Sequence, residues 1–232
     1  MKLLELSIVS GPSITSWQFP VRRMVNAGYV GRDVNAVKAH IEELSHEGVP
    51  APPTVPMVFP VLSHNITTGG QIEVIGARTS GEAEFVLLLD GDDVFVGVGS
   101  DHTDRDIERD SIVLSKQVCQ NVLSSQLWRY EDVKKGWDDL ALQSWVKPTK
   151  KDDWVLYQKA QLGTIISPPD LIRLVTSSIK DGQCDGLVIF SGTVPILTRE
   201  MIFGTGFRAE LIDTRKDRSL TCEYRVVILD YL

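Results

Sequence analysis

One acidic stretch, residues 82–108, constrains the fold of this chain more than any other part of the sequence. Two apolar runs, Phe85–Leu89 and Val94–Val98, flank the segment Asp90-Gly-Asp-Asp93. A turn signal of this kind between two apolar runs is typical of a β-hairpin. The stretch therefore predicts two paired antiparallel strands that carry several carboxylates.

The register of the predicted hairpin brings three of these carboxylates together. If the turn is centred between Gly91 and Asp92, then Asp101 lies opposite Glu82 and diagonal to Glu84, on one face of the sheet. Opposed Cβ atoms are about 4.5–5.5 Å apart and diagonal ones roughly 7–8 Å, so the three side chains can converge on one ion. Oxygen ligands without a nearby thiolate favour Mg²⁺, Mn²⁺ or Ca²⁺ over zinc. An acidic face exposed to solvent is the alternative that the charge pattern leaves open.

The acidic stretch belongs to a longer series of motifs, namely Glu82-Ala-Glu84, Asp101-His-Thr-Asp-Arg-Asp106, Lys116 and Gly192-Thr193-Val-Pro195. From about Gly31 to the C-terminus the series resembles the fumarylacetoacetate hydrolase family, and in particular a divergent branch similar to its DUF2848-type members. The resemblance implies that a divalent cation, Mg²⁺ before Mn²⁺ or Ca²⁺, is bound by Glu82, Glu84 and Asp101. It also implies that the substrate is contacted by Lys116, Gly192 and Thr193.

A helix is predicted over residues 33–47, with Asp33 as its N-cap and Gly48 at its end. His40 and Glu43 are three residues apart and are therefore neighbours on this helix. An exposed pair on an amphipathic helix is the simple interpretation. The family has a His-x-x-Glu pair on a helical lid, where it activates water, and the resemblance implies that catalytic role for His40 and Glu43.

Two residues near the acidic stretch need separate interpretation. Lys116 lies in the largely apolar run Ile112–Cys119, so its ammonium group needs either a path to solvent or an anionic partner. The predicted carboxylates would provide that partner, and the resemblance makes Lys116 a catalytic as well as a substrate-binding residue. His102 follows Asp101 directly, so on a strand it points to the opposite face and is not expected to bind the cation.

The remaining pattern predicts an α+β fold rich in mixed β-sheet. The predicted strands begin at Met1, Ile72, Leu187, Phe207 and Leu220. A helix follows the capping segment Ser167–Asp170 and ends before Gly182. The resemblance implies a fumarylacetoacetate hydrolase-like fold in a single domain, residues 1–232. Residues 1–60 would form the N-terminal strand and helical lid, and residues 61–232 the metal-binding catalytic core.

Composition excludes some partners. The net charge is −7 and no cluster of Lys and Arg stands out, which argues against nucleic acid and membrane surfaces as partners. No apolar run approaches the length of a membrane span, and the first residues do not read as a signal peptide. The three cysteines are widely spaced, which indicates reduced thiols and a cytoplasmic protein. A homodimer is expected by analogy with the family.

The resemblance implies a metal-dependent hydrolase that cleaves a carbon–carbon bond in a 1,3-dicarbonyl or acylpyruvate-like acid. A decarboxylase or tautomerase of a 2-oxo acid is the first alternative, because it relies on the same metal-stabilised enolate without an attacking water. A relative that binds metal without catalysis is the second alternative.

Overall fold

The computed structural model describes residues 1–35, 37–38, 41–42, 52 and 54–231. The strands are β1 (Lys2–Ser10), β2 (Ser13–Val21), β3 (Arg23–Gly28), β4 (Met57–Val61), β5 (Ile66–Thr67), β6 (Gln71–Val74), β7 (Thr79–Ser80), β8 (Ala83–Asp90), β9 (Asp93–Asp101), β10 (Thr103–Asp104), β11 (Asn121–Leu123), β12 (Gln126–Arg129), β13 (Ala141–Lys147), β14 (Val155–Gln161), β15 (Leu187–Phe190), β16 (Gly206–Asp213) and β17 (Arg218–Ile228). Helices cover Arg105–Asp110, Ile112–Val118 and Pro168–Ser178, and 3₁₀ turns cover Tyr130–Asp132, Lys134–Asp139 and Leu162–Thr164.

The strands form two main sheets and one short strand pair. The larger sheet runs in the order β2-β1-β12-β9-β8-β15-β3-β4, and β11 joins β9 to β5 at its side. The smaller sheet runs β14-β13-β16-β17-β6, and β7 pairs with β10. Pairs such as β1–β12, β3–β15 and β6–β17 are parallel, whereas most others are antiparallel. The β-rich mixed-sheet fold predicted from the sequence is therefore confirmed.

The two apolar runs of the central hairpin are buried on both faces. One face of β8 contributes Phe85, Leu87 and Leu89 to a core shared with the smaller sheet. The opposite face contributes Val86 and Leu88 to a second core beneath β1, β2 and β3. Strands with apolar cores on both faces read as continuous hydrophobic runs, which explains why β8 shows no polar alternation between Phe85 and Leu89.

The hairpin has the predicted register. Ala83 pairs with Ser100, and Asp90 pairs with Asp93 across the two-residue turn Gly91-Asp92. Gly91 has a φ of 57°, which suits a turn of this type because glycine adopts left-handed backbone without a Cβ clash. The same register continues one position beyond the named strand, where the Asp101 amide donates to the Glu82 carbonyl at 3.2 Å.

Side-chain caps place the helices that follow β9. The Asp104 carboxylate accepts hydrogen bonds from the first turn of the helix Arg105–Asp110, and Ser111 caps the helix Ile112–Val118. The second of these helices carries Lys116 on its buried side. Ser167 caps the helix Pro168–Ser178, which confirms the helix predicted after the Ser-Pro-Pro-Asp segment.

Other elements predicted from the sequence are also present. Strands are found at all five predicted places, as β1, β6, β15, β16 and β17. Residues 34–35, 37–38 and 41–42 are helical, in agreement with the predicted helix, and the rest of that helix lies outside the described residues. Cys119, Cys184 and Cys222 are free thiols. Within the described ranges, no helix is long and apolar enough to cross a membrane.

Candidate metal centre

Three carboxylates converge at the open end of the β8–β9 hairpin. Glu82 precedes β8, Glu84 lies within it and Asp101 ends β9. Ligand-competent oxygens of these three residues all lie within 4.8 Å of one another. Glu84 and Asp101 are each 1% exposed, so this is a buried cluster and not an acidic face in solvent. The predicted convergence is present, and the ligand role of the three residues remains a prediction.

Lys116 is a buried cation that contacts two of the three carboxylates. Its Nζ atom lies 2.5 Å from Asp101 Oδ2 and 3.1 Å from Glu82 Oε2, and it donates to Thr103 Oγ1 at 3.0 Å. The side chain is 8% exposed. The anionic partner that the sequence required for this lysine is therefore the carboxylate cluster itself, and all three N–H groups of the ammonium have acceptors.

Arg105 is a second buried cation next to the cluster. In the sequence it is identified only as part of the motif Asp101–Asp106. It donates to Glu82 Oε1 at 2.9 Å, to Glu108 Oε2 at 2.7 Å and to Ser80 Oγ at 2.8 Å. The helix that begins at Arg105 holds this guanidinium against the cluster. Both oxygens of Glu82 are thus engaged by cations, one by Arg105 and the other by Lys116.

The three carboxylates differ in pKa because their surroundings differ. Burial raises the pKa of Glu82, but Arg105 and Lys116 outweigh it and bring the value down to about 2. Burial, followed by repulsion from Asp101 and Glu82, raises the pKa of Glu84 well above its usual value. Burial raises the pKa of Asp101 to about 6, although Lys116 acts against it. The cluster therefore resists full ionisation without further positive charge.

The residues present fit a hard divalent cation. When ionised, four acidic side chains face two cationic ones here: Glu82, Glu84, Asp101 and Glu108 against Arg105 and Lys116. Two negative charges are then unbalanced, which is the charge of one divalent cation. Asp101 Oδ1 is buried and has no hydrogen-bond partner among the described residues. An unpaired buried carboxylate oxygen beside two further carboxylates is the donor set that Mg²⁺ or Mn²⁺ takes.

Gly192 and Thr193 follow β15 and form hydrogen bonds with the segment that carries Glu84. The Gly192 amide donates to Glu84 Oε2 at 2.8 Å. Gly192 has a φ of 86°, and a Cβ atom there would lie 2.7 Å from the Val30 side chain, so the position requires glycine. Thr193 Oγ1 donates to the Ala83 carbonyl at 2.9 Å. The amide hydrogen of Gly192 and the hydroxyl hydrogen of Thr193 are thus both used in hydrogen bonds within the protein. The predicted substrate contacts of the two residues remain predictions.

His102 belongs to a buried network on the other side of β9. Its Nδ1 atom lies 2.8 Å from Tyr224 Oη, and its Nε2 atom lies 2.9 Å from Thr79 Oγ1. Tyr224 Oη lies 2.8 Å from Ser100 Oγ, which accepts a hydrogen bond from the Glu82 amide at 3.2 Å. Burial lowers the pKa of His102 to about 3. The prediction that His102 is not a ligand is consistent with this network, which supports the backbone of Glu82 instead.

A buried amide pair, which the sequence did not reveal, crosses the interior of the larger sheet. Asn121 Nδ2 donates to Asn26 Oδ1 at 3.1 Å, and both residues are fully buried. Asn121 lies opposite Asp101 in the β9–β11 register, whereas Asn26 lies on β3. Side chains from strands this far apart in the sheet meet because the sheet is strongly curled. The amide pair therefore lies inside the curled sheet, next to the end of the cluster formed by Asp101.

His40 and Glu43, the predicted catalytic pair, lie outside the described residues. The chain leads towards them through Arg32, which donates to the Ile165 carbonyl and forms a bidentate pair with Asp138 at 2.7 and 2.8 Å. The start of the predicted lid is thus fixed to the domain, and the catalytic role of the pair remains a prediction.

Comparisons with known proteins identify the family and the fold. The profile of a family described as protein of unknown function (DUF2848) matches residues 27–224. No curated protein shows significant sequence similarity to the chain. Solved structures with the same fold include Cg1458 with an inhibitor, with a TM-score of 0.64 and 18% identity over 94% of this chain and 86% of the other.

Two further structures share the fold at similar distance. A 2-hydroxyhepta-2,4-diene-1,7-dioate isomerase from Mycobacterium marinum has a TM-score of 0.64 and 15% identity, over 95% of this chain and 84% of the other. A 2-keto-3-deoxy-D-arabinonate dehydratase complexed with magnesium and 2,5-dioxopentanoate has a TM-score of 0.63 and 16% identity, over 93% and 75% of the two chains.

The class defined by this architecture is the fumarylacetoacetate hydrolase-like fold. Within that class the chain belongs to the DUF2848 family, whose profile covers most of its length.

Proposed function

We propose that this protein is an enzyme that uses a divalent cation, with Mg²⁺ as the first choice, to act on a small 2-oxo acid. The observation that carries the proposal is the buried convergence of Glu82, Glu84 and Asp101 around an unpaired oxygen of Asp101. These three residues would hold the cation. When bound, the cation would supply Lewis-acid stabilisation of negative charge on the substrate oxygens.

The substrate class is supported by one structural relative. That dehydratase was solved with magnesium and 2,5-dioxopentanoate, which is an oxo acid. Lys116 is the residue of this chain that suits such an anion. Because its three N–H groups already have acceptors, substrate binding requires Lys116 to exchange one of them, and a substrate carboxylate is a matched replacement.

Hydrolysis of a carbon–carbon bond in a 1,3-dicarbonyl or acylpyruvate-like acid is the leading reaction. In this reaction His40, oriented by Glu43, takes a proton from the attacking water. Lys116 holds the negative oxygen of the substrate, and Gly192 and Thr193 fix the position of Glu84 and of the adjoining strand. A homodimer in the cytoplasm is part of the same proposal.

Decarboxylation or tautomerisation of a 2-oxo acid is the second candidate, and it is supported by the structural relative that is named as an isomerase. Such a reaction needs no attacking water and therefore no histidine base. A non-catalytic protein that binds metal is the third candidate, since Lys116 and Arg105 already pair with the carboxylates.

Turnover of a panel of acylpyruvates and 2-oxo acids with Mg²⁺ or Mn²⁺, in ¹⁸O-labelled water, separates the three candidates. Hydrolysis predicts ¹⁸O in a carboxylate product and loss of activity in His40→Ala. Release of CO₂, or isomerisation without a cleaved product, supports the second candidate. Absence of turnover with every acid and both cations supports the third and contradicts an enzymatic role.

A further inference from the structure

Tyr29 has a backbone conformation that is unusual for its residue type. It directly follows β3, and its φ of 58° lies in the left-handed region. A bulky residue at such a φ costs about 1–3 kcal/mol and persists only where the surrounding structure enforces it. On one side Gly28 pairs with Met57, and on the other the Val30 carbonyl accepts from Ile166 at 2.9 Å. The fold therefore holds Tyr29 in this conformation from both ends.

The strained segment packs against Gly192, which donates a hydrogen bond to the candidate metal ligand Glu84. Val30 and the Ala27 carbonyl occupy the space next to Gly192, at 2.7 and 3.0 Å from where its Cβ would be. Gly192 in turn donates to Glu84. Tyr29 thus lies between two residues that contact the loop holding a candidate metal ligand.

The pKa of the Tyr29 hydroxyl is shifted by its surroundings. Burial raises the pKa of this half-buried tyrosine, and the carboxylates of Glu108 and Glu82 add to the rise while Lys116 opposes it. The phenol is therefore protonated at neutral pH and is a hydrogen-bond donor. No hydrogen bond from this hydroxyl is present among the described residues.

These observations leave a neutral donor on the backbone segment that packs against Gly192, with no acceptor for it among the described residues. We propose that Tyr29 contacts the substrate and donates its hydroxyl hydrogen to an oxygen of the bound oxo acid. This role rests on the proposed function. It explains why the chain keeps a tyrosine where a glycine or asparagine would fit the backbone without strain.

The test uses Tyr29→Phe, which keeps the ring and removes the hydroxyl. Tyr130→Phe is the matched control, because Tyr130 is also partly buried but packs on Trp137, in a 3₁₀ turn of the chain. For each protein, calorimetry gives the Kd of Mn²⁺ and then the Kd of oxalate for the Mn²⁺-loaded form. Oxalate serves as a planar mimic of an oxo-acid enolate, and the melting temperature reports on folding.

We expect Tyr29→Phe to bind oxalate about tenfold more weakly, which corresponds to about 1.4 kcal/mol, with Mn²⁺ affinity and melting temperature unchanged. Tyr130→Phe should match the wild type in all three measurements. Equal oxalate affinity in Tyr29→Phe and wild type would overturn the role of Tyr29 while leaving the proposed function intact. Failure of the wild type to bind Mn²⁺ or oxalate would overturn both.

Discussion

The two ends of the β8–β9 hairpin carry similar acidic residues with opposite consequences. At the turn end, Asp90, Asp92 and Asp93 are exposed, and Asp93 forms a solvent-exposed pair with Arg129 at 3.3 Å. At the open end, Glu84 and Asp101 are almost fully buried. Each end has three carboxylates in the sequence, so their number does not distinguish the two ends.

The carboxylates at the two ends differ in exposure because only the open end is covered by other parts of the protein. The helices after β9 place Lys116 and Arg105 over the open end, whereas the turn end projects into solvent. Water solvates exposed carboxylates, so an ion pair such as Asp93–Arg129 contributes little. Buried carboxylates must be neutralised by protons, by cationic side chains or by a metal ion. The open end is a candidate site because its carboxylates are buried, and not because it contains more of them.

The largest expected effect comes from removing the cation at each end. Lys116→Met leaves buried carboxylates without their partner, so we expect the free energy of unfolding of the metal-free protein to fall by about 3–5 kcal/mol. The matched variant at the turn end, Arg129→Met, breaks an exposed pair and should cost no more than about 1 kcal/mol. Urea denaturation measures both values.

The binding of Mn²⁺ to the Lys116 variant gives a second measurement. Lys116→Met removes a positive charge next to two predicted ligands, so Mn²⁺ should bind it more tightly and stabilise it more than the wild type. Equal destabilisation by the two substitutions would mean that the open end is as solvated as the turn, and the distinction between the ends would be lost.

The next effect concerns ligand removal. Asp101→Asn replaces an anionic ligand by a neutral amide, and we expect the affinity for Mn²⁺ to fall by about 100-fold or more while the protein stays folded. Asp93→Asn, at the turn end of the same strand, should leave the affinity unchanged. Isothermal titration calorimetry gives both constants, and circular dichroism checks folding.

A cation bound at the turn end would reverse this result. Loss of Mn²⁺ affinity in Asp93→Asn with retention in Asp101→Asn would assign the ion to the exposed carboxylates and would contradict the buried centre.

The sequence predicted this part of the molecule well because its interactions are local. A two-residue turn fixes the parity of a hairpin, so the position of Asp101 opposite Glu82 followed from counting residues. A lysine in an apolar run needs an anionic partner, and Lys116 has one in Asp101. The helices after β9, whose caps at Asp104 and Ser111 place Lys116, were not predicted from the sequence, although these caps depend on residues close in sequence.

Other parts of the site could not be predicted because they depend on distant strands. Asn26 and Asn121 meet only through the curl of the larger sheet, and no sequence periodicity records that curl. The position of Tyr29 depends on its flanking strand and on the packing of Val30 against Gly192. The pairing of Arg105 with both Glu82 and Glu108 needs the order of elements after β9.

The smallest predicted effect is a pH dependence to which the open end contributes through its raised carboxylate pKa values. The pKa of Asp101 in the folded protein is about 6, above its usual value, and the pKa of Glu84 is also raised. The folded state therefore holds more protons than the unfolded state, so the stability of the metal-free protein should decrease as the pH rises from about 4 to 6.

Metal affinity should follow the opposite trend, because a cation must displace these protons. We expect the affinity for Mn²⁺ to weaken by up to about tenfold for each pH unit below about 6. Titrations at several pH values between about 5 and 8 measure this slope. A flat profile across the range would mean that no raised carboxylate takes part in binding.

The most direct test of the buried metal centre is anomalous X-ray diffraction from a crystal of the wild-type protein grown with Mn²⁺. We expect one strong manganese peak within bonding distance of carboxylate oxygens of Glu82, Glu84 and Asp101. An absence of density there under saturating Mn²⁺, or a peak at Asp90–Asp93 instead, would contradict this expectation.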